Sequence, residues 1–152
     1  MSDADMMQLY SKRILALAAD IPHLGKLADA EGSAMKRSPQ CGSTVTAHVR
    51  LEDGRIAGFG QEVRACALGQ ASAGVLGQAI IGASRDEIAR GAAQLSAMLK
   101  EGGPVPDAPW RGLEVLMPAR DYPNRHASIM LCWLATLDAI DAVGSQAQSA
   151  SG

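Results

Sequence analysis

The chain has 152 residues and a formal net charge of −2, too even a balance to build the field that draws in nucleic acid or an anionic membrane. Hydrophobic residues make up 47%, which fits a globular domain and excludes bulk disorder, while 3% aromatics leave few platforms for stacking bases. A core must therefore come from Ala, Leu, Ile, Val and Met, which favours packed helices. The length suits one domain, read here as 1–143, that needs neither disulfide nor metal merely to fold. The acidic start has no basic segment followed by an apolar stretch, and no apolar run reads as long enough to span a bilayer, so the cytoplasm is the expected location. Three cysteines, an odd number at wide spacing, do not form a disulfide framework; in a reducing compartment they are buried apolar residues or functional thiols.

Met6 to Ala19 carries apolar residues near helical period, with Asp3 or Asp5 as caps. Ile21 to Gly25 breaks the pattern. Ala30 to Arg37 is small and polar, and Ser38-Pro39-Gln40-Cys41-Gly42-Ser43 is a loop signal. Thr44 to Leu51 alternates as a half-buried strand, Asp53-Gly54 supplies a hairpin turn, and Ile56 to Val63 returns, with Gly58 and Gly60 weakening it or marking a bulge. Ala67 to Ile81 reads as a helix of small residues, made for close packing, the sheet being the candidate surface. Ser84 caps the next helix, with Glu87 completing a capping box, and that helix runs to about Lys100. A Pro-rich connector, a short helical piece over Trp110–Met117 and a loop over Pro118–Pro123 follow. Asn124 to Val143 is a long amphipathic helix ended by Gly144. The Gln/Ala/Ser/Gly tail, 144–152, reads as disordered. The order implies an α+β fold: a small antiparallel sheet of about three strands with several helices packed on one side.

Cys41 sits in a Pro/Gly loop that leads into a strand, and Cys66 ends a strand and precedes a helix. In a meander those two points share one end of the sheet. Thiolates gathered there suit zinc or iron–sulfur units, and exposed N–H groups at a helix N-terminus favour negative charge near Cys66. The plain alternative for each is a small buried hydrophobe. Cys132, within the apolar run Met130–Leu134, reads first as core. His23 and His48 read as solvated surface residues. His126, near the start of the last helix, is a candidate metal ligand, although a lone histidine is more often not one. No carboxylate pair, Ser/His/Asp arrangement or close-spaced CxxC is present. The glycines after Cys66 lack the basic residue of a P-loop, which argues against a nucleotide site of that kind.

Ser38-Pro39-Gln40-Cys41-Gly42-Ser43-Thr44-Val45 resembles the NP-x-CGD motif of IscU/NifU/SufU-type iron–sulfur cluster scaffolds. The run from Arg64-Ala65-Cys66-Ala67 to Ala73 resembles the family's Gly-Cys-Ala motif with its Ser/Ala-rich helix. Pro123-Asn124-Arg125-His126-Ala127-Ser128 onward resembles P-x-R-x-x-C-x-x-L. The resemblance covers about Met7 to Val143 and marks a divergent member.

The resemblance implies a non-enzymatic scaffold or carrier that binds iron and sulfide, as a 2Fe-2S cluster, or zinc, through cysteine thiolates. Cys41 and Cys66 match the first two ligand cysteines and are the possible persulfide acceptors. Ser43 stands in place of the family's Asp, Ser128 in place of its third Cys, and Ala127 in place of a histidine found in some members. Neutral serine is a poor substitute for thiolate or carboxylate. A displaced set of Cys41, Cys66, Cys132 and His126 is one compensation, because Cys132 is one helical turn beyond Ser128. The implied partners are a cysteine desulfurase and cluster acceptors, with the protein a monomer or weak homodimer. Two alternatives stand beside this: a zinc-dependent sulfurtransferase or persulfide carrier, and a metal-free interaction protein that keeps only the fold.

Overall fold

A computed structural model describes residues 11–39 and 42–151, with side chains through Gly144. Helix α1 spans Lys12–Ala19 and is capped by Ser11, whose hydroxyl accepts from Ile14 N. The expected helical stretch before Ser11 and its Asp3 or Asp5 cap lie outside the described residues, as do Gln40, Cys41 and the side chains of the tail beyond Gly144.

Three strands, β1 (Gly32–Arg37), β2 (Thr44–Glu52) and β3 (Arg55–Arg64), form an antiparallel meander in the order β1-β2-β3. The stretch read only as small and polar is thus strand β1. Its alternation is weak in sequence because Gly32 and Ala34 occupy the inner face, and at Gly32 the backbone of Ala139 and Val143 leaves no room for a side chain. Asp53 and Gly54, at φ 54° and 76°, make the hairpin turn the sequence called for. A register shift at Arg50/Leu51 leaves Ala57 as the extra residue of a bulge. Gly58 and Gly60, both just after the shift, are small for a second reason. The chain from Gly25 to Leu27 crosses directly over them, and a Cβ at Gly60 would lie 2.6 Å from Gly25 O.

Helices α2 (Ala67–Ala79), α3 (Arg85–Lys100) and α4 (Pro123–Ser151), with a 3-10 segment over Arg111–Asp121, complete the fold. Val45, Ala47 and Val49 of β2 are buried against α4, and α4 also contacts β1, α2 and α3. The small residues of α2 serve helix contacts more than the sheet, which they meet at Ala73 and Gly77 through Gln61 of β3. A Cβ at Gly74 would stand 2.7 Å from Leu17 O of α1, and one at Gly69 2.7 Å from Ser128 Oγ of α4. Ser84 caps α3 through Glu87 N at 3.2 Å, but the Glu87 carboxylate pairs with Arg55 at 3.1 Å, so only half of the expected capping box forms. The segment expected as a loop from Pro118 is the second half of the 3-10 segment, and α4 does not stop at Gly144.

The expectation that no apolar run reaches spanning length is corrected by α4. Pro123–Gly144 has 22 residues and a mean hydropathy of 1.5. Its apolar residues are used inside the fold: Ile129, Trp133, Ala135 and Ala139 are fully buried. Trp110 meets Trp133 edge-on at 4.9 Å. Gly91 of α3 makes room for both rings, since a Cβ there would come within 2.9 Å of each.

Candidate functional site

Antiparallel pairing of Thr44 with Arg64 fixes the geometry of the site. The residue before β2, Ser43, and the residues after β3, Ala65 and Cys66, leave the sheet at the same end. The loop before β2 is closed by Gly42 N–H to Ser38 O at 2.9 Å and Ser38 N–H to Ser43 O at 2.8 Å. Gly42, at φ 70°, takes the left-handed conformation that this closure needs.

Cys66 is the N-cap residue of α2, and its side chain makes no capping hydrogen bond. The N-terminal N–H groups of α2 are therefore left to whatever charge gathers there. Cys66 Sγ lies 3.5 Å from Ser128 Oγ, and Ser128 Oγ donates to Ser43 Oγ at 3.3 Å. Three elements thus converge: the end of the 38–43 loop, the start of α2 and the first turns of α4. Cys66 is half-buried, whereas Ser43 and Ser128 are 6% and 1% exposed. The hydroxyls satisfy each other and bring no charge.

Cys132 goes elsewhere. Its thiol sits 3.5 Å from Ser72 Oγ in the core, and burial pushes it up to about 12. Ser72 also donates to Ile129 O at 2.8 Å and accepts from Trp133 Nε1 at 3.0 Å, so Cys132 belongs to a small buried polar knot. Its thiol is turned into the core toward Ser72 rather than toward Cys66. His126 is likewise committed: its Nε2 donates to Ala119 O at 2.9 Å. Neither Cys132 nor His126 contacts Cys66 among the described hydrogen bonds. Among the described residues no group of three His, Cys, Asp or Glu side chains comes together.

His48, expected as a solvated residue, bridges the sheet surface instead. Its Nδ1 meets Ser33 Oγ at 2.7 Å and its Nε2 meets Glu62 Oε2 at 3.0 Å, because the register places Ser33 directly opposite it. His23 is exposed, as expected. Sequence reasoning did not single out Ser72 or Gly69. The only signal was their small size within an otherwise apolar helix.

A profile of the NifU-like N-terminal domain family matches residues 9–126. The iron–sulfur cluster assembly scaffold protein IscU of Thermotoga maritima is 26% identical over 132 residues, covering 87% of this chain and 92% of its own. Among solved structures, an N-terminal NifU-like protein from Brucella abortus superposes with a TM-score of 0.89 at 39% identity, covering 93% of this chain and 98% of its own. A SufU-type scaffold protein from Fervidobacterium islandicum shares the fold at 23% identity and a TM-score of 0.78, with 88% and 98% covered. The chain belongs to the NifU-like N-terminal domain family, a family of iron–sulfur cluster assembly scaffolds.

Proposed function

We propose that this protein is a cytoplasmic scaffold or carrier that holds iron–sulfur units through only two protein thiolates, Cys66 and Cys41. It would receive sulfur from a cysteine desulfurase and pass its cargo to acceptor proteins. The observation that carries this reading is the convergence of Ser43, Cys66 and Ser128. The 3.5 Å between Cys66 Sγ and Ser128 Oγ is the spacing of a sulfur and an oxygen on one tetrahedral ion, about 3.5 Å for bonds of about 2.3 and 2.0 Å. Cys41 is two residues from Ser43 in the sequence, so covalent connectivity alone limits its separation from Ser43 to about 7 Å.

Two thiolates and two neutral hydroxyls are a weak set for a soft metal. Cargo held this way keeps open coordination positions, to be filled by a small thiol or by a second copy of the chain. Zinc fits the described donors poorly for the same reason, since closed zinc sites use four charged or imidazole ligands.

The test is anaerobic reconstitution with iron, sulfide and thiol, followed by desalting, absorbance and metal analysis. Visible charge-transfer bands with iron near one or two per chain are expected, lost in both Cys66→Ser and Cys41→Ser. A colourless, iron-free protein that accepts sulfur from a desulfurase, read as a mass increase on either cysteine, would replace this reading with that of a persulfide carrier.

A further inference from the structure

Helix α4 packs against both β1 and α3, and those two elements are not packed on each other. A groove of about 530 Å³ is lined by all three. Its apolar surface is one face of α4: Ala127, Met130, Leu131 and Leu134 follow the i, i+3, i+4, i+7 spacing of a helical stripe about 10 Å long. On the α3 side stand Ala92 and Ser96, small side chains one turn apart that leave width. Leu134 is 41% exposed, and Ala127 is exposed as well. A small ligand is enclosed over most of its surface, so an apolar stripe left this open suits the face of another chain segment.

The groove carries one sign of charge on both sides. Lys36 and Arg37 end β1, Lys100 ends α3, and no Asp or Glu is among the described residues that line it. Lys36 pairs with Asp138 of α4 at 3.1 Å. Arg37 and Lys100 are exposed and form no ion pair with a described residue. The basic rim runs against the net charge of the chain, which is −2. The groove also borders the candidate site. Ser38 and Pro39 carry its β1 side into the loop that holds Cys41, and Ala127 is the sequence neighbour of Ser128.

We infer that this groove docks a short amphipathic helix of a partner protein, with apolar residues on one face and carboxylates along its edges. The stripe on α4 receives the apolar face, and the small Ala92 and Ser96 leave depth for larger side chains from the guest. The carboxylates of the guest stand against Arg37 and Lys100. Charges arranged this way select and orient a partner more than they tighten it, and a basic helix meets repulsion from the same rim. That the partner comes to deliver sulfur or to take the cargo rests on the scaffold reading above; the docking itself uses no cysteine and no iron.

The experiment is a titration of the full chain into a fluorescein-labelled peptide of about fifteen residues, long enough to be helical, with leucines on one face and glutamates at its edges. Anisotropy should show saturable binding that weakens as salt is added. Leu134→Gln should weaken it about fivefold, and Arg37→Glu combined with Lys100→Glu about tenfold. Leu24→Gln, at a leucine that is 60% exposed outside the groove, should leave it unchanged. A peptide with lysines in place of the glutamates should bind about tenfold more weakly. Binding that never saturates, equal binding of the lysine peptide, or an affinity unchanged in Leu134→Gln would overturn the docking site. Two results would give the groove to another occupant and overturn the partner assignment. Tighter peptide binding after Asp3→Lys and Asp5→Lys would assign it to the start of this chain, and a dimer that the peptide dissociates would assign it to a second copy. Iron retention after anaerobic reconstitution separates the two readings: failed docking with iron retained overturns this inference alone, and docking without iron overturns the scaffold reading alone.

Discussion

Cys66 Sγ and Ser128 Oγ face each other at 3.5 Å across the contact of α2 with α4, where Gly69 allows the close approach: a Cβ on it would lie 2.7 Å from Ser128 Oγ. The site is therefore a product of how closely two helices approach. Its chemistry is set by the one thiol and one hydroxyl that this approach brings together.

Ser128→Cys should turn that pair into two sulfurs on the same spacing, and Ser43→Asp should add a charge beside them. Iron retained after anaerobic reconstitution is expected to rise by about threefold or more in the double variant, because thiolate and carboxylate replace neutral hydroxyls. Unchanged iron would place the ligands elsewhere.

Native alkylation should separate the two described thiols. Cys66 is half-buried at a helix start, while Cys132 is 1% exposed in the core. Peptide mapping after treatment with iodoacetamide should find Cys66 modified and Cys132 intact until denaturant is added. Equal labelling would contradict the packing around Ser72.

Alkali should destabilise the fold through Cys132. Its thiol is raised from 9.0 to about 12 by burial, so the unfolded chain loses that proton first. The associated stability is complete below pH 9 and is lost as pH rises from there toward 12, at about 1.4 kcal/mol per pH unit. Urea melts at pH 8 and pH 10 should show the loss in the native chain and a smaller one in Cys132→Ala.

Gly69→Ala should wedge α2 from α4. The added methyl would meet Ser128 Oγ at 2.7 Å and Ser128 O at 3.1 Å. A loss of about 1–3 kcal/mol is expected on chemical denaturation, with reduced iron retention. Wild-type stability would mean that the helices can slide apart freely.

Ser72→Ala should strand Trp133 Nε1, which now donates to the hydroxyl at 3.0 Å inside the core. One buried donor without a partner costs about 1–3 kcal/mol. The loss should appear as a lower denaturation midpoint with iron retention unchanged, because this knot lies apart from Cys66.

The parts of the fold that were legible are those written in local pattern. The alternation of Val45, Ala47 and Val49, the Asp53-Gly54 turn and the serine cap at Ser84 each act over a few residues, and the structure keeps all of them. Strand β1 escaped notice because its inner face is Gly32 and Ala34, chosen by α4 rather than by strand propensity. Gly58 and Gly60 looked like weaknesses in β3; they are clearances for a chain crossing that no local window contains.

For the site, the sequence by itself determined the most that connectivity allows. A loop entering β2 and a thiol leaving β3 must share one end of a meander, because antiparallel pairing puts Thr44 opposite Arg64. It also carried the serines at 43 and 128, and with them the loss of charge. What it left open was which turn of α4 faces Cys66. Ser128 and Cys132 lie four residues apart on one helical stripe, and helical period makes them equivalent. Only the crossing of α2 and α4 at Gly69 breaks that equivalence. It sets Ser128 against Cys66 and sends Cys132 to Ser72 and Trp133, where desolvation keeps its proton in place.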